Sequence, residues 1–232
     1  TETLLAGRTP GQRRMALISS VIVLISAVSW GSFSLASASI KRVDVFEGRK
    51  ERPDRLAGSA INYLIVGSDT RVGLTKAEIK ELRVGSTAVA AGKRADTMIL
   101  VHISKARDRA TIISIPRDTF ATVPEWTDST GKVHPPSHSK INETFGKGDA
   151  KLLVQTLEGM TNLRIDHYVE ISFLGFKNMV DALGGVTICT KKDINDPKSY
   201  LKLKAGVHKL NGLDSLKYVR TRAFDGMGDL GR

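Results

Sequence analysis

The sequence predicts a single α/β domain, a central β-sheet flanked by helices, carried behind one membrane-spanning helix. Three observations predict it. Short β-branched runs such as Ile61 to Val66 and Ala110 to Ile115 have the length and composition of buried strands. Between such runs lie stretches with apolar residues at helical spacing, the clearest being Phe173, Phe176, Val180 and Leu183. Ahead of both, Met15 to Ala38 holds no charged residue over 24 positions.

That apolar run is long enough to cross a bilayer as a helix, since about 20 residues suffice. Arg13 and Arg14 precede it, which predicts a cytoplasmic tail over residues 1–14 and export of everything beyond residue 38. Ala36-Ser37-Ala38 also resembles a small-x-small cleavage site, so a removed signal peptide is the competing reading. In both cases the bulk of the chain faces outward from the cell membrane.

The formal charge is +11, from 35 Lys and Arg against 24 Asp and Glu. Arg8, Arg13 and Arg14 against Glu2 place +2 of it before residue 39, and the remainder belongs to the domain. A basic domain of this kind selects phospholipid headgroups, phosphorylated glycans or nucleic acid. Outward placement removes nucleic acid from that set. Lone Cys189 excludes an internal disulfide and, in the strand-like run Val186 to Thr190, reads as a small buried hydrophobe.

Residues 39–60 are polar and broken, a stalk between membrane and domain, and the domain is expected over residues 61–232. Its first strand, Ile61 to Val66, ends in Gly67-Ser68-Asp69-Thr70-Arg71, a carboxylate and a guanidinium at a strand's end. A short helix is expected around Lys76 to Leu82. Met98 to Ile103 and Thr111 to Ile115, with the six-residue polar turn Ser104 to Arg109 between them, read as a hairpin, and His102 within it as a packed or edge histidine. Pro116 has no N–H and stops the second strand. Arg117 and Asp118 therefore sit where a core strand runs out into a loop, the place where open α/β sheets bind ligands.

Residues 121–140 read as a long loop with Pro124, Trp126, Pro135 and Pro136, forming a rim over a substrate groove. The prolines argue against a helix that would align His134 and His138 on a metal. Lys151 to Met160 is a plausible helix with Asp149 near its start, and Tyr168 to Ile171 a short strand. Phe173 to Leu183 is a helix closed by Gly184-Gly185, which turn the chain into strand Val186 to Thr190. Asp193 to Lys204 reads as a charged turn region. Asn211 caps a helix over Gly212 to Val219, and Arg220 and Arg222 leave its C-terminal end.

Arginines and isolated aspartates at several independent strand and helix ends suit a phosphorylated substrate with a metal. Guanidinium groups clamp phosphate oxygens, and carboxylates offer hard oxygens to Mg²⁺. Candidates for the clamp are Arg117, Arg220, Arg222 and Arg232, joined by Arg71; candidates for the metal are Asp69 and Asp96. Any one of these arginines, taken alone, reads first as a surface residue or a salt bridge. The chain has no Gly-x-x-x-x-Gly-Lys-[Ser/Thr] loop, no Gly-x-Ser-x-Gly elbow and no zinc spacing.

Several blocks in order carry a resemblance. They are Tyr63 to Arg71, Arg94 to Met98, Ser114 to Asp118, Lys140-Ile141-Asn142, Ile165 to Tyr168, Val180 to Val186, Leu210-Asn211-Gly212 and Tyr218 to Arg222, with Asp229 to Arg232 beyond. Together they resemble the extracytoplasmic domain of the LytR-CpsA-Psr family of bacterial cell-wall enzymes. The resemblance implies a mixed sheet of five or six strands. It implies a phosphotransferase that moves a glycopolymer from a polyprenyl-pyrophosphate carrier to an N-acetylmuramic acid hydroxyl of peptidoglycan. It also implies that Arg117, Arg220 and Arg232, with Arg222 close by, face the pyrophosphate, and that Asp69 and Asp96 lie at Mg²⁺, or Mn²⁺ in its place. By the same likeness Phe173, Phe176 and Val180 line a groove for the prenyl tail, and the enzyme works as a monomer. Asp96 or Asp118 is the general-base candidate.

Two departures stand out. Ala95 occupies a position where the family more often has Ser, and the sequence stops at Arg232, where the family pattern continues, so the catalytic domain is expected to be C-terminally incomplete. The rival readings are a non-catalytic, membrane-anchored wall- or polyanion-binding protein and a pyrophosphatase acting on the lipid-linked glycan.

Overall fold

The computed structural model describes residues 9–38, 42–47, 52–55, 60–71, 73–82, 84 and 94–221. The chain divides into two units, Thr1–Asp44 and Val45–Arg232. The first holds α1 (Pro10–Ala38). Thr9 opens it with a reciprocal cap: its hydroxyl accepts from the Gln12 amide, and its own amide donates to the Gln12 side chain. Pro10 at the first helical position is preset for the turn. Within α1, Pro10–Ser32 is apolar and long enough to cross a membrane, about 34 Å at 1.5 Å per residue.

The second unit runs β1 (Ile61–Ser68), α2 (Lys76–Leu82), β2 (Ala95–Ile103), β3 (Ala110–Ile115), β4 (Phe120–Val123), β5 (Trp126–Thr127), β6 (Val133–His134) and β7 (Ser137–Lys140). It continues through α3 (Ile141–Thr161), β8 (His167–Ile171), α4 (Phe173–Ala182), β9 (Val186–Thr190), β10 (Ile194–Asp196), β11 (Leu201–Leu203), β12 (Gly206–Leu210) and α5 (Gly212–Arg220). The central sheet has the order β3-β2-β1-β8. β1 is antiparallel to β2 and parallel to β8, and β2 is antiparallel to β3, so the sheet is mixed. Among the described residues it has four strands rather than five or six.

Strand alternation builds the core. Every second residue of β1, Asn62, Leu64, Val66 and Ser68, is buried. Leu64, Val66, Met98 and Leu100 pack against Phe145, Leu153, Val154 and Leu157 of α3. The core starts earlier than the sequence implied. Val45, in the expected stalk, is fully buried in this cluster, and Arg52 forks onto Glu158, a carboxylate only 1% exposed. The Arg52 guanidinium also lies 4.3 Å from the centre of the Phe46 ring.

A second cluster joins Leu82, Val84 and Leu216 to Phe173, Phe176 and Leu213, locking α2, α4 and α5 together. α5 approaches α4 at Gly212, where a Cβ would meet the Lys177 carbonyl oxygen at 2.1 Å. Ser172 caps α4 through the Gly175 amide, and Asn211 caps α5 through the Asp214 amide, as the sequence indicated for α5.

Four expectations need correction. β3 is the sheet's edge strand, not a buried one: Ile112 is 70% exposed and only Ile115 is buried. Its β-branched composition suits a pleated strand wherever that strand lies, and does not report how many neighbours it has. Residues 121–140 are not a loop but an arm of two nested hairpins, β4 with β7 and β5 with β6. The Asp193 to Lys204 region contains the β10–β11 hairpin. Cys189 is exposed, because the inward parity of β9 is that of buried Thr190 and half-buried Ile188, and Cys189 lies on the other face.

Candidate active site at one edge of the sheet

The pairing brings four strand ends to one edge: the C-terminal ends of β1, β3 and β8 and the start of β2. At that edge the β1–β2 ladder slips. Gly67 pairs with Thr97 and Ser68 with Ala95, so Asp96 is the extra residue of a β-bulge. Bulges turn a side chain away from the regular alternation and are frequent beside active sites. Asp96 accepts a 2.9 Å hydrogen bond from Nη1 of Arg117, just past the end of β3.

Arg117 begins a chain of charges. Its Nε lies 3.6 Å from Oδ2 of Asp118, and Oδ1 of Asp118 accepts from Lys140 Nζ at 2.7 Å. The Lys140 ammonium holds the Asp118 carboxyl below its usual range, with Arg117 adding to the effect. The backbone fixes this loop. The Thr119 amide returns to the Pro116 carbonyl, while the Ile141 and Asn142 amides donate to the carbonyls of Thr119 and Arg117. The loop thereby satisfies the first amides of α3, whose N-cap Lys140 makes no side-chain cap.

Asp69 continues the ladder past β1. Its amide donates to the Arg94 carbonyl, and its Oδ1 accepts from the Arg94 amide at 3.1 Å. The two carboxylates, Asp69 and Asp96, therefore stand on neighbouring strand ends. Among the described residues no three or more His, Cys, Asp and Glu side chains are grouped so as to hold a metal ion by themselves. Two carboxylates still fit Mg²⁺, which keeps several waters and takes its other oxygens from substrate phosphates.

Arg220 and Arg71 form a second cationic group. Arg220 donates to the Leu82 carbonyl, and its guanidinium lies 5.5 Å from the centre of the Phe173 ring. Burial, then the nearby Arg71 charge, lowers its pKa from the ordinary arginine value, while Asp196 opposes the shift. Both guanidinium groups add positive charge to this end of the fold, which the Asp196 carboxylate partly offsets.

Residues 32–232 match the LytR_cpsA_psr family. The chain belongs to the LytR-CpsA-Psr family. It is 42% identical over 171 residues to the probable cell wall biosynthesis protein LcpB of Corynebacterium glutamicum, covering 74% of this chain and 38% of that one. Over 228 residues it is 30% identical to the polyisoprenyl-teichoic acid–peptidoglycan teichoic acid transferase TagU of Oceanobacillus iheyensis, covering 91% of this chain and 62% of that one. It therefore spans between about two-fifths and three-fifths of these curated relatives' length. Among solved structures it resembles YwtF (TagT) with bound octaprenyl pyrophosphate lipid, at TM-score 0.53 and 25% identity, covering 83% of this chain and 65% of that one. TagT bound to LIIa-WTA gives TM-score 0.56 and 26% identity, covering 77% and 62%.

In this member of the LytR-CpsA-Psr family, Asp69, Arg71, Asp96, Arg117 and Asp118 all fall at the one sheet edge. Arg220 joins them through Arg71. Arg222 and Arg232 lie outside the described residues. Phe173 and Phe176 are half-buried in the second cluster, and Val180 is fully buried. Sequence reasoning gave no role to Lys140 or Asp196. Lys140 carried a signal, a cation directly before a helix in one of the quoted blocks. Asp196 carried none, being one charge among many in its segment.

Proposed function

We propose that the domain transfers a phosphorylated glycopolymer from a polyprenyl-pyrophosphate carrier to a peptidoglycan hydroxyl, working as a monomer outside the cell membrane with α1 as its anchor. The observation that carries this reading is the bulge. It pairs Asp96 with Arg117 at a sheet edge, in a fold whose neighbour TagT was solved with octaprenyl pyrophosphate.

In this reading the Arg117 fork exchanges its carboxylate partners for diphosphate oxygens, and Arg71 and Arg220 supply further positive charge. Arg222 and Arg232 add to the clamp by family likeness. The acceptor hydroxyl oxygen forms a bond to the glycan-linked phosphorus. The bond from that phosphorus to the bridging oxygen breaks, and polyprenyl phosphate leaves with the electron pair. The hydroxyl proton passes to a carboxylate. Asp96 and Asp118 are the candidates for that role, the first bonded to Arg117 Nη1 and the second held ionised by Lys140. Asp69 and Asp96 would hold Mg²⁺, with Mn²⁺ as the alternative, to offset diphosphate charge. Phe173 and Phe176 flank the path of the prenyl tail.

Mass spectrometry of a reaction between a synthetic polyprenyl-pyrophosphate oligosaccharide and an uncrosslinked peptidoglycan oligomer tests the proposal. A phosphodiester-linked product with one polyprenyl phosphate released per transfer is expected. Sugar phosphate without transfer would assign a pyrophosphatase instead.

A further inference from the structure

The β4–β7 hairpin leaves the candidate site carrying a face that the fold does not use. Its two faces differ: Ala121, Val123 and Ser139 are buried on one, with Ser137 exposed at its end, while Phe120, Thr122, His138 and Lys140 are exposed on the other. Phe120 is 72% exposed. A solvated strand position gains nothing by holding a phenyl ring in water. The ring stacks on the His138 imidazole, with centroids 5.3 Å apart and planes 19° apart. Thr122 Oγ1 lies 3.3 Å from His138 Nδ1. Phe120 pairs with Lys140, whose ammonium holds Asp118, and it follows Asp118 by two residues in the chain.

The composition of this face matches one chemical class. A pyranose ring offers a flat patch of C–H groups, which the negative face of an aromatic ring attracts, and polar substituents around its rim. Here a phenyl ring is bordered by a hydroxyl, an imidazole and an ammonium. The nested hairpin repeats the device farther along the arm. Trp126 stacks on His134 with centroids 4.3 Å apart, and Asp128 holds His134 at 2.8 Å.

We propose that the outer face of the β4–β7 hairpin is an acceptor subsite, where a pyranose ring of an amino-sugar glycan strand stacks on Phe120 and hydrogen-bonds to Thr122 and His138. The subsite rests on the transferase reading for its purpose, because it would hold the acceptor beside Arg117 and Asp118. Its existence as a glycan site is tested without turnover.

Isothermal titration of the full chain in lipid nanodiscs would use an uncrosslinked peptidoglycan tetrasaccharide, with inorganic pyrophosphate titrated separately. Phe120→Ala is expected to weaken tetrasaccharide binding about tenfold, as loss of one stacking contact does. Phe120→Trp should keep it, and pyrophosphate binding should be the same in all three proteins. Undiminished tetrasaccharide binding in Phe120→Ala, or none in the parent protein, would overturn the subsite. So would a parallel loss of pyrophosphate binding, which would make Phe120 a prop for Arg117, or a Phe120-dependent loss of nanodisc lipid contact with glycan binding intact. Transfer measured on the same samples reports on the enzyme reading alone: glycan binding without transfer removes that reading and leaves the subsite standing.

Discussion

Arg117 sits between two carboxylates at the end of a strand that Pro116 has closed, and the site's charge balance turns on it. Arg117→Ala should lower transfer by about 10²–10³, the usual effect of removing one charge-stabilising donor, with thermal unfolding little changed. Arg117→Lys should recover only a small part, because an ammonium lacks the planar fork. The Asp118–Lys140 pair makes a pH prediction. Its lowered folded pKa means that Asp118 adds stability above its unfolded value of 3.8, lost as pH falls through the lower folded value. Because the carboxylate is exposed, the readable quantity is the titration itself. In Lys140→Met, NMR should find the Asp118 carboxyl titrating at higher pH than in the parent protein. The strand-end placement of Arg117, Asp118, Asp69 and Asp96 was legible in the sequence because Pro116 closes one apolar run, Asp69 follows a second and Asp96 precedes a third. The Lys140 contact was not, since it spans a hairpin whose register composition does not encode. Cys189 misled for a related reason: the inward parity of a strand is known only once its partner is.

At the scale of elements, the long helices and the β-branched strands were legible because their periodicity extends over enough residues to be read. Strands β5 and β6 are two residues each, too short to show any period, and so the arm read as a loop. The stalk misled because the residues that join the core, Val45 with Phe46 beside it and Arg52, stand among charged residues without an apolar run long enough to read. Arg52→Ala would leave the buried Glu158 without its guanidinium and should destabilise the domain by about 3–5 kcal/mol, seen as a lower unfolding midpoint. Gly212→Ala should lower the midpoint as well, by about 1–3 kcal/mol, because the new methyl meets backbone rather than a flexible side chain. An unchanged midpoint in either variant would mean that the packing around α3, or between α4 and α5, is looser than described.

For the whole molecule, the proposed function gives the apolar helix and the basic domain one purpose: the helix would anchor the protein and the sheet edge would handle phosphate. Within Pro10–Ser32 the helix should keep the protein in the membrane pellet through alkaline carbonate washing, whereas deletion of residues 1–41 should release it. A deletion extended to residue 60 would also remove Val45 and Arg52, and should yield an unstable domain. The most direct test of the site is a single-turnover measurement. Enzyme in excess is loaded with a radiolabelled polyprenyl-pyrophosphate oligosaccharide and Mg²⁺, an uncrosslinked peptidoglycan oligomer is added, and the rate of label transfer is compared between the parent protein and Arg117→Ala. Transfer by the parent, slowed about 10²–10³ in the variant while the label stays bound, is the expected result. Equal rates in both would contradict the account, because Arg117 would then be one more surface ion pair.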